Sequence, residues 1–252
     1  MTTVTLGHLD ETVQQASAAA VARVLEAYEL EIEYVVAPRA EMIEHMRRGD
    51  VDLFVSAWLP DVDAAFLASE LGMEAFGQLY RPTFGWSVPQ AAATGVSAIA
   101  GLAAADCPVS REIVTPASLL DRVRQVVAAY NLTEAGYTIA ARPDAEAYDH
   151  AARVLEGSLP EIIPAWQPSF VHYGQKLLAL DDPKGSYGAE QEARILLRSA
   201  ARPEMDTDLL DELDELTLGN KVVSALDHAM RFEGMSAEEA AEAWQRGKLL
   251  PR

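Results

Sequence analysis

A single cysteine, Cys107, stands among the 252 residues, so no disulfide forms within the chain and cysteine usage does not mark a redox compartment. No apolar run approaches the ~20 residues that span a bilayer. The opening MTTVTLGHLDE has neither the basic nor the apolar stretch of a secretory leader. On that reading the protein is cytoplasmic, or a leader has been removed. Lysine is scarce too, at four of the twenty basic residues, and against 39 acidic ones the formal charge is −19. Such a surface repels phosphate backbones and anionic headgroups. Nucleic acid is excluded as a partner, and a small cationic or zwitterionic solute is favoured, although acidity also serves plain solubility. The patterns GxxxxGK[ST], GxGxxG and GxSxG are missing, which removes phosphate-cradling loops and a nucleophile elbow. His8, His45, His150, His172 and His228 show no ligand spacing and no cysteine partner, so neither a metal nor another cofactor is expected. A lone cysteine such as Cys107 is ordinarily an inert, buried one.

What is present reads as α/β. With 50% hydrophobic residues the chain can build a substantial core. VTLGHL predicts a strand, residues 12–28 a helix with Val13, Ala16, Ala20, Val24 and Ala27 on one face, and EIEYVVA a second strand. Residues 39–48 predict a helix stopped by Gly49, and residues 51–57 a third strand. This alternation points to a parallel sheet with right-handed crossovers. Further helices are expected at 64–71, 97–105, 116–130 and 145–156. From Gly188 the pattern is helical almost to the end, with Ser236 opening a capping box.

Two tryptophans stand out because their contexts match. Trp58 in VDLFVSAWLPD and Trp166 in LPEIIPAWQPSF each lie where an apolar strand meets a proline-containing turn. Ligands of open α/β sheets bind beyond the carboxyl ends of strands, so both rings are candidate pocket walls rather than ordinary core. YRPTFGWSVPQ, broken by Pro82, Gly85 and Pro89, reads as an exit from one lobe, and LLALDDPKG as the return. The expected architecture is a two-lobed clamshell with two interlobe crossings, lobe I being residues 1–86 with 183–252 and lobe II residues 87–182. Closure of such a cleft would bring Trp58 and Trp166 onto one guest.

GDVDLFVSAWLPD, at residues 49–61, resembles the cage-tryptophan strand of the glycine betaine, choline and proline-betaine substrate-binding proteins of ATP-binding-cassette importers. AWQPSFVHY with LLALDDPKGSYG is similar to that family's second-lobe aromatic segment and return, YRPTFGWSVP to its outgoing crossover, and MSAEEAAEAWQRGKLL to its C-terminal helix, where Trp244 would pack structurally. The resemblance implies a type II periplasmic-binding-protein-like fold, a non-catalytic role, a quaternary-ammonium solute held by aromatic faces, a membrane permease as partner and a periplasmic or extracytoplasmic location.

Where many relatives carry a third cage tryptophan, this chain has HLDE at 8–11 and TPAS at 115–118. Trp86, Tyr80, Tyr137 and Tyr173 are the candidates for the missing face. His8 and Glu11, with Asp10, would face the cleft from the end of the first strand, where an acidic group attracts a cation; Asp10 alternatively caps the helix. Thr115 as N-cap and Pro116 at the first helical position would leave backbone N–H groups near Ala117 and Ser118 to receive a solute carboxylate. The expected ligand-binding set is therefore Trp58, Trp166, His8, Glu11, Trp86, Thr115 and Ser118. Two other readings stay open: a soluble enzyme using the same cleft with His8, Asp10 and Glu11 as acid and base, and a cytoplasmic solute sensor.

Overall fold

The computed structural model describes residues 3–92 and 95–251. In chain order come β1 (Thr3–Leu9), α1 (Thr12–Ala27), β2 (Glu31–Ala37), α2 (Arg39–Arg48), β3 (Leu53–Leu59), β4 (Met73–Tyr80) and β5 (Thr83–Pro89). There follow β6 (Glu112–Pro116), α3 (Leu120–Ala129), β7 (Thr138–Arg142), α4 (Asp144–Gly157), β8 (Ile163–Gln167) and β9 (Leu177–Ala179). The chain ends with β10 (Glu192–Arg198), α5 (Thr207–Glu215), α6 (Asn220–Phe232) and α7 (Ala237–Gln245). Two compact units result: Met1–Pro82 with Pro168–Tyr173 and Gln191–Arg252, and Thr83–Gln167 with Gly174–Glu190. The chain thus passes between units after residues 82, 167, 173 and 190, against the two crossings expected near 86 and 182. The segments read as crossings are strands instead: Phe84, Gly85 and Trp86 lie in β5, and Leu177 to Ala179 form β9.

The first unit is built on a sheet of order β2-β1-β3-β10-β4. β1 runs parallel to β2 and β3, but β10 is antiparallel to both β3 and β4, so the sheet is mixed where a parallel one was expected. Every residue of β3 is buried, as a continuous apolar run covered on both faces should be. β2 at the edge alternates Glu31 and Glu33 with Ile32 and Tyr34, which protects an open edge. Five alanines of α1, from Ala16 to Ala22, are buried, and α1 packs on β1, α6 and α7. Gly49 ends α2 at φ +76°, the left-handed stop expected of it. Gly7 lets α2 approach β1: a Cβ there would lie 2.8 Å from Val51 Cγ1 and 3.3 Å from Met42 Sδ. The capping box between Ser236 and Glu239 opens α7, and Trp244 packs on the Ala225, Leu226 and Ala240 cluster.

In the second unit β5 lies between β8 and β9, antiparallel to both, and β6 pairs with β7 in parallel. Its core gathers Phe84, Trp86, Val88, Ile99, Ile113, Val123, Val126 and Leu132. The helices expected at 64–71 and 97–105 are short 3-10 turns, Ala64–Leu67, Ser69–Leu71 and Ile99–Ala103. That over 116–130 begins only at Leu120, after the 3-10 turn Ala117–Leu119.

Candidate functional site

In the first unit Trp58 occupies the penultimate position of β3 and is 5% exposed. Its indole N–H donates to the Tyr80 hydroxyl at 3.1 Å, and the two rings meet edge to face at 6.5 Å. Tyr80 Oη is also 2.6 Å from Ser56 Oγ and 3.4 Å from Ser17 Oγ, so one fully buried hydroxyl gathers three side chains from α1 and β3. Burial pushes this phenol above its ordinary pKa, and it serves as a neutral hydrogen-bonding hub. The Trp58 backbone N–H donates to Asp63 Oδ2 at 2.8 Å, while Arg39 Nε donates to Asp63 Oδ1 at 2.7 Å. Burial raises the Asp63 carboxyl, opposed by Arg39 and by the Trp58 N–H. The turn after β3 therefore folds back through Asp63 onto the tryptophan's backbone, while Tyr80 at the end of β4 holds its indole nitrogen.

In the second unit Trp166 of β8 stands directly opposite Phe84 of β5 in the strand register. Their rings lie 5.6 Å apart at 64°, and Tyr187 meets Phe84 edge-on at 5.8 Å. The Tyr187 hydroxyl donates to the Leu180 carbonyl at 3.0 Å, and its backbone N–H to Asp182 Oδ2 at 2.6 Å, which ties this aromatic group to β9 and the following turn. The Arg122 guanidinium, from the first turn of α3, lies 4.6 Å above the Trp166 ring and 6.0 Å from that of Phe84.

The remaining sequence candidates fall elsewhere. His8 is buried, holds the Leu9 carbonyl through Nδ1 at 2.8 Å and packs edge-on against Tyr34 at 5.9 Å. Burial lowers its pKa, partly offset by that carbonyl, Asp10 and Glu238, so it is a neutral packed ring. Glu11 is the exposed N-cap residue of α1, and Asp10 instead accepts from Gln15 Nε2 at 3.0 Å. The acid and base group drawn from these three is not assembled.

Trp86 is 1% exposed and sits in the core of the second unit, which removes it as a cage wall. Thr115 is a fully buried residue of β6, with Oγ1 3.3 Å from the Pro116 carbonyl, rather than a helix cap. Ser118 N–H already donates to Asp144 Oδ1 at 3.1 Å. A carboxylate beside that donor repels a second anion, so the expected receiver is occupied by the protein itself. Of the possible third faces, Tyr137 lies in the second core, Tyr173 lies tilted against His228 with ring centroids 4.5 Å apart, and Tyr80 meets Trp58 edge to face. Cys107 Sγ is 3.8 Å from the Tyr137 hydroxyl. Among the described residues no cluster of three or more His, Cys, Asp or Glu side chains is arranged to hold a metal, and no helix is long and apolar enough to cross a membrane.

Sequence reasoning missed Asp63, Ser56, Phe84, Tyr187 and Arg122. Asp63 had a signal: an aspartate in a proline turn after a strand commonly turns back onto backbone N–H groups. Arg122 had none, since nothing in LLDRVRQVV connects it to a tryptophan on another strand.

Two α/β units, the first on a mixed sheet and the second on an antiparallel sheet and a parallel pair, exchanging chain several times and each holding a tryptophan at a strand end, define a two-lobed, type II solute-binding fold. The chain matches the family described as the substrate binding domain of ABC-type glycine betaine transport systems over residues 2–246, and it belongs to that family, whose members are non-catalytic. Among solved structures it is similar to lactococcal OpuAC in its closed, liganded conformation with glycine betaine, at 18% identity, TM-score 0.76, and coverage of 98% of this chain and 96% of that one. It is also similar to the glycine betaine and L-proline binding protein ProX of Borrelia burgdorferi, at 18% identity, TM-score 0.73, and coverage of 96% and 92%. A choline binding protein of an ABC transporter, in complex with choline, gives 18% identity, TM-score 0.73, and coverage of 97% and 88%. At such identities the likeness is one of fold. No curated protein sequence matches the chain.

Proposed function

We propose that this protein binds a small quaternary-ammonium compatible solute of the glycine betaine or choline kind and delivers it, outside the cytoplasm, to the membrane permease of an ABC importer. The observation that carries the reading is the family match across nearly the whole chain together with Trp58, a tryptophan fixed at a strand end by Tyr80 and Asp63. A quaternary ammonium has no hydrogen to donate, so aromatic faces rather than hydrogen bonds must hold it. Such a contact is worth roughly 0.5–1 kcal/mol when exposed and about 2 kcal/mol or more when desolvated. Trp58 in one unit and Trp166 in the other are the rings assigned this task. Of the wider set read from the sequence, His8, Trp86 and Thr115 are given packing roles instead.

Titration calorimetry with glycine betaine and choline tests the reading. Replacing Trp58 or Trp166 by alanine is expected to weaken binding about thirtyfold each, the equivalent of ~2 kcal/mol. Unchanged affinity in both folded variants would overturn the assignment of the rings. Absence of binding by either solute to the unaltered protein would overturn the solute class.

A further inference from the structure

The carboxylate behind Trp58 is buried, and a cation from another element stands on it. Asp63 is 1% exposed. Its Oδ2 accepts the Trp58 backbone N–H at 2.8 Å, its own backbone N–H donates to the Trp58 carbonyl at 2.9 Å, and its Oδ1 accepts from Arg39 Nε at 2.7 Å. Both polar groups of the Trp58 backbone are thus closed onto one residue. Around it, β3 and the 3-10 turn Ala64–Leu67 carry no titratable side chain, β4 brings the neutral Tyr80 hydroxyl, and Asp61 in the same turn accepts from Gln191 Nε2 at 3.1 Å. The charge that opposes burial at Asp63 comes from Arg39 of α2.

Nothing local favours an arginine at position 39. It is the first residue of α2, behind Pro38, which supplies no side-chain cap. A helix N-terminus carries positive partial charge, so a cation in the first turn is disfavoured there. A residue that breaks a local rule answers to a demand made elsewhere in the fold. For Arg39 that demand is the Asp63 carboxylate, 24 residues further along the chain. A hydrogen bond to an ionised carboxylate is roughly twice as strong as a neutral one. Deprived of its countercharge, a buried carboxyl takes up a proton, and the bond to the Trp58 N–H falls to the weaker, neutral kind.

We infer that Arg39 is a positioning residue for solute binding: its guanidinium keeps Asp63 a carboxylate, and that carboxylate fixes the backbone from which the Trp58 ring meets the solute. The inference rests on the reading of Trp58 as a solute-holding ring and adds to it a residue that itself touches no solute. Tyr80 holds the far end of the same side chain through the indole nitrogen. The ring is therefore placed by two separate restraints, one neutral and one charged, and only the charged one responds to pH.

The test is calorimetry from about pH 9 to about pH 5.5 on the unaltered protein, Arg39→Gln and Arg39→Lys, each variant first shown by thermal melting to be folded. The probe is glycine betaine or choline, whichever the unaltered protein binds more tightly. Arg39→Gln is expected to bind within threefold of the unaltered protein at the alkaline end and about tenfold more weakly at the acid end. Arg39→Lys keeps the charge and is expected to follow the unaltered profile. Other titrating groups are common to all three proteins and cancel in the comparison. A residue needed only for packing would lower affinity equally at every pH, so a constant ratio between Arg39→Gln and the unaltered protein overturns the proposal, as does Arg39→Lys tracking Arg39→Gln. Should Arg39→Gln not fold, carbon NMR of the Asp63 side chain in the unaltered protein decides it: a carboxyl ionised at pH 7 supports the proposal and a protonated one overturns it. If the unaltered protein binds neither solute, the quaternary-ammonium reading fails and the role of Arg39 fails with it.

Discussion

The Tyr80 hydroxyl sets how firmly Trp58 is held. It is fully buried, accepts the indole N–H at 3.1 Å and lies 2.6 Å from Ser56 Oγ. Tyr80→Phe keeps the ring and its edge-on contact but strands the indole N–H and the Ser56 hydroxyl in a dry interior. A buried group left unpaired costs about 1–3 kcal/mol. The variant should therefore be less stable by that order in urea unfolding, and should bind solute more weakly than its folded fraction explains. Calorimetry on the folded variant would show the second effect, and unchanged affinity would reduce the hub to a stability device. Asp63 acts one step further back, since its carboxylate joins the Trp58 backbone to Arg39.

Among the elements, β4 depends on one backbone torsion. Gly77 has φ +59° within the strand, and a Cβ there would lie 2.9 Å from the Leu213 carbonyl of α5. Its N–H donates to Asp214 Oδ1 at 2.7 Å, so the kink seats α5 on the sheet edge. Gly77→Ala must strain the backbone and push α5 away, a cost of ~1–3 kcal/mol, measurable as a lower urea midpoint. The excursion of Pro168 to Tyr173 into the first unit is held differently. Fully buried Asp227 on α6 accepts from Phe170 N–H at 2.7 Å and from Arg231 Nε at 2.8 Å.

Within that excursion burial lowers the pKa of His172 from 6.5 to about 4, with Ser169 pulling the other way. The unfolded chain takes up the proton first, so this contribution to stability is complete above pH 6.5 and is lost as pH falls toward about 4. Urea unfolding between pH 7 and pH 4 should show a steeper decline for the unaltered protein than for His172→Gln. Parallel declines would place the acid sensitivity elsewhere.

For the whole molecule, binding to the folded state must raise thermal stability. A solute at a hundred times its dissociation constant contributes about 2.7 kcal/mol. For a chain of this length each kcal/mol shifts Tm by about 2–4 °C, so glycine betaine at that concentration should raise Tm by roughly 5–10 °C in a melting assay. Exhaustive chelation should leave this shift intact. A shift abolished by chelator would return attention to the histidines.

What the sequence determined by itself is local and periodic. The extents of α1 and β2, the Gly49 stop, the Ser236 cap and the placing of both tryptophans at strand ends follow from apolar spacing and turn chemistry acting over a few residues. The motif around Trp58 carried the family resemblance as well. β4 and β10 were not legible, because what makes them strands is pairing across more than a hundred residues, Ala193 with Tyr80 and Leu196 with Ala75 among others. The excursion at 168–173 depends on Asp227, which is 57 residues from Phe170 in sequence. Only the tertiary structure decided that Trp86 belongs to a core, that Asp144 occupies the Ser118 donor, and that Arg122 rests on Trp166. Each is a contact between segments whose meeting depends on how sheets and helices stack, and no residue spacing along the chain encodes that.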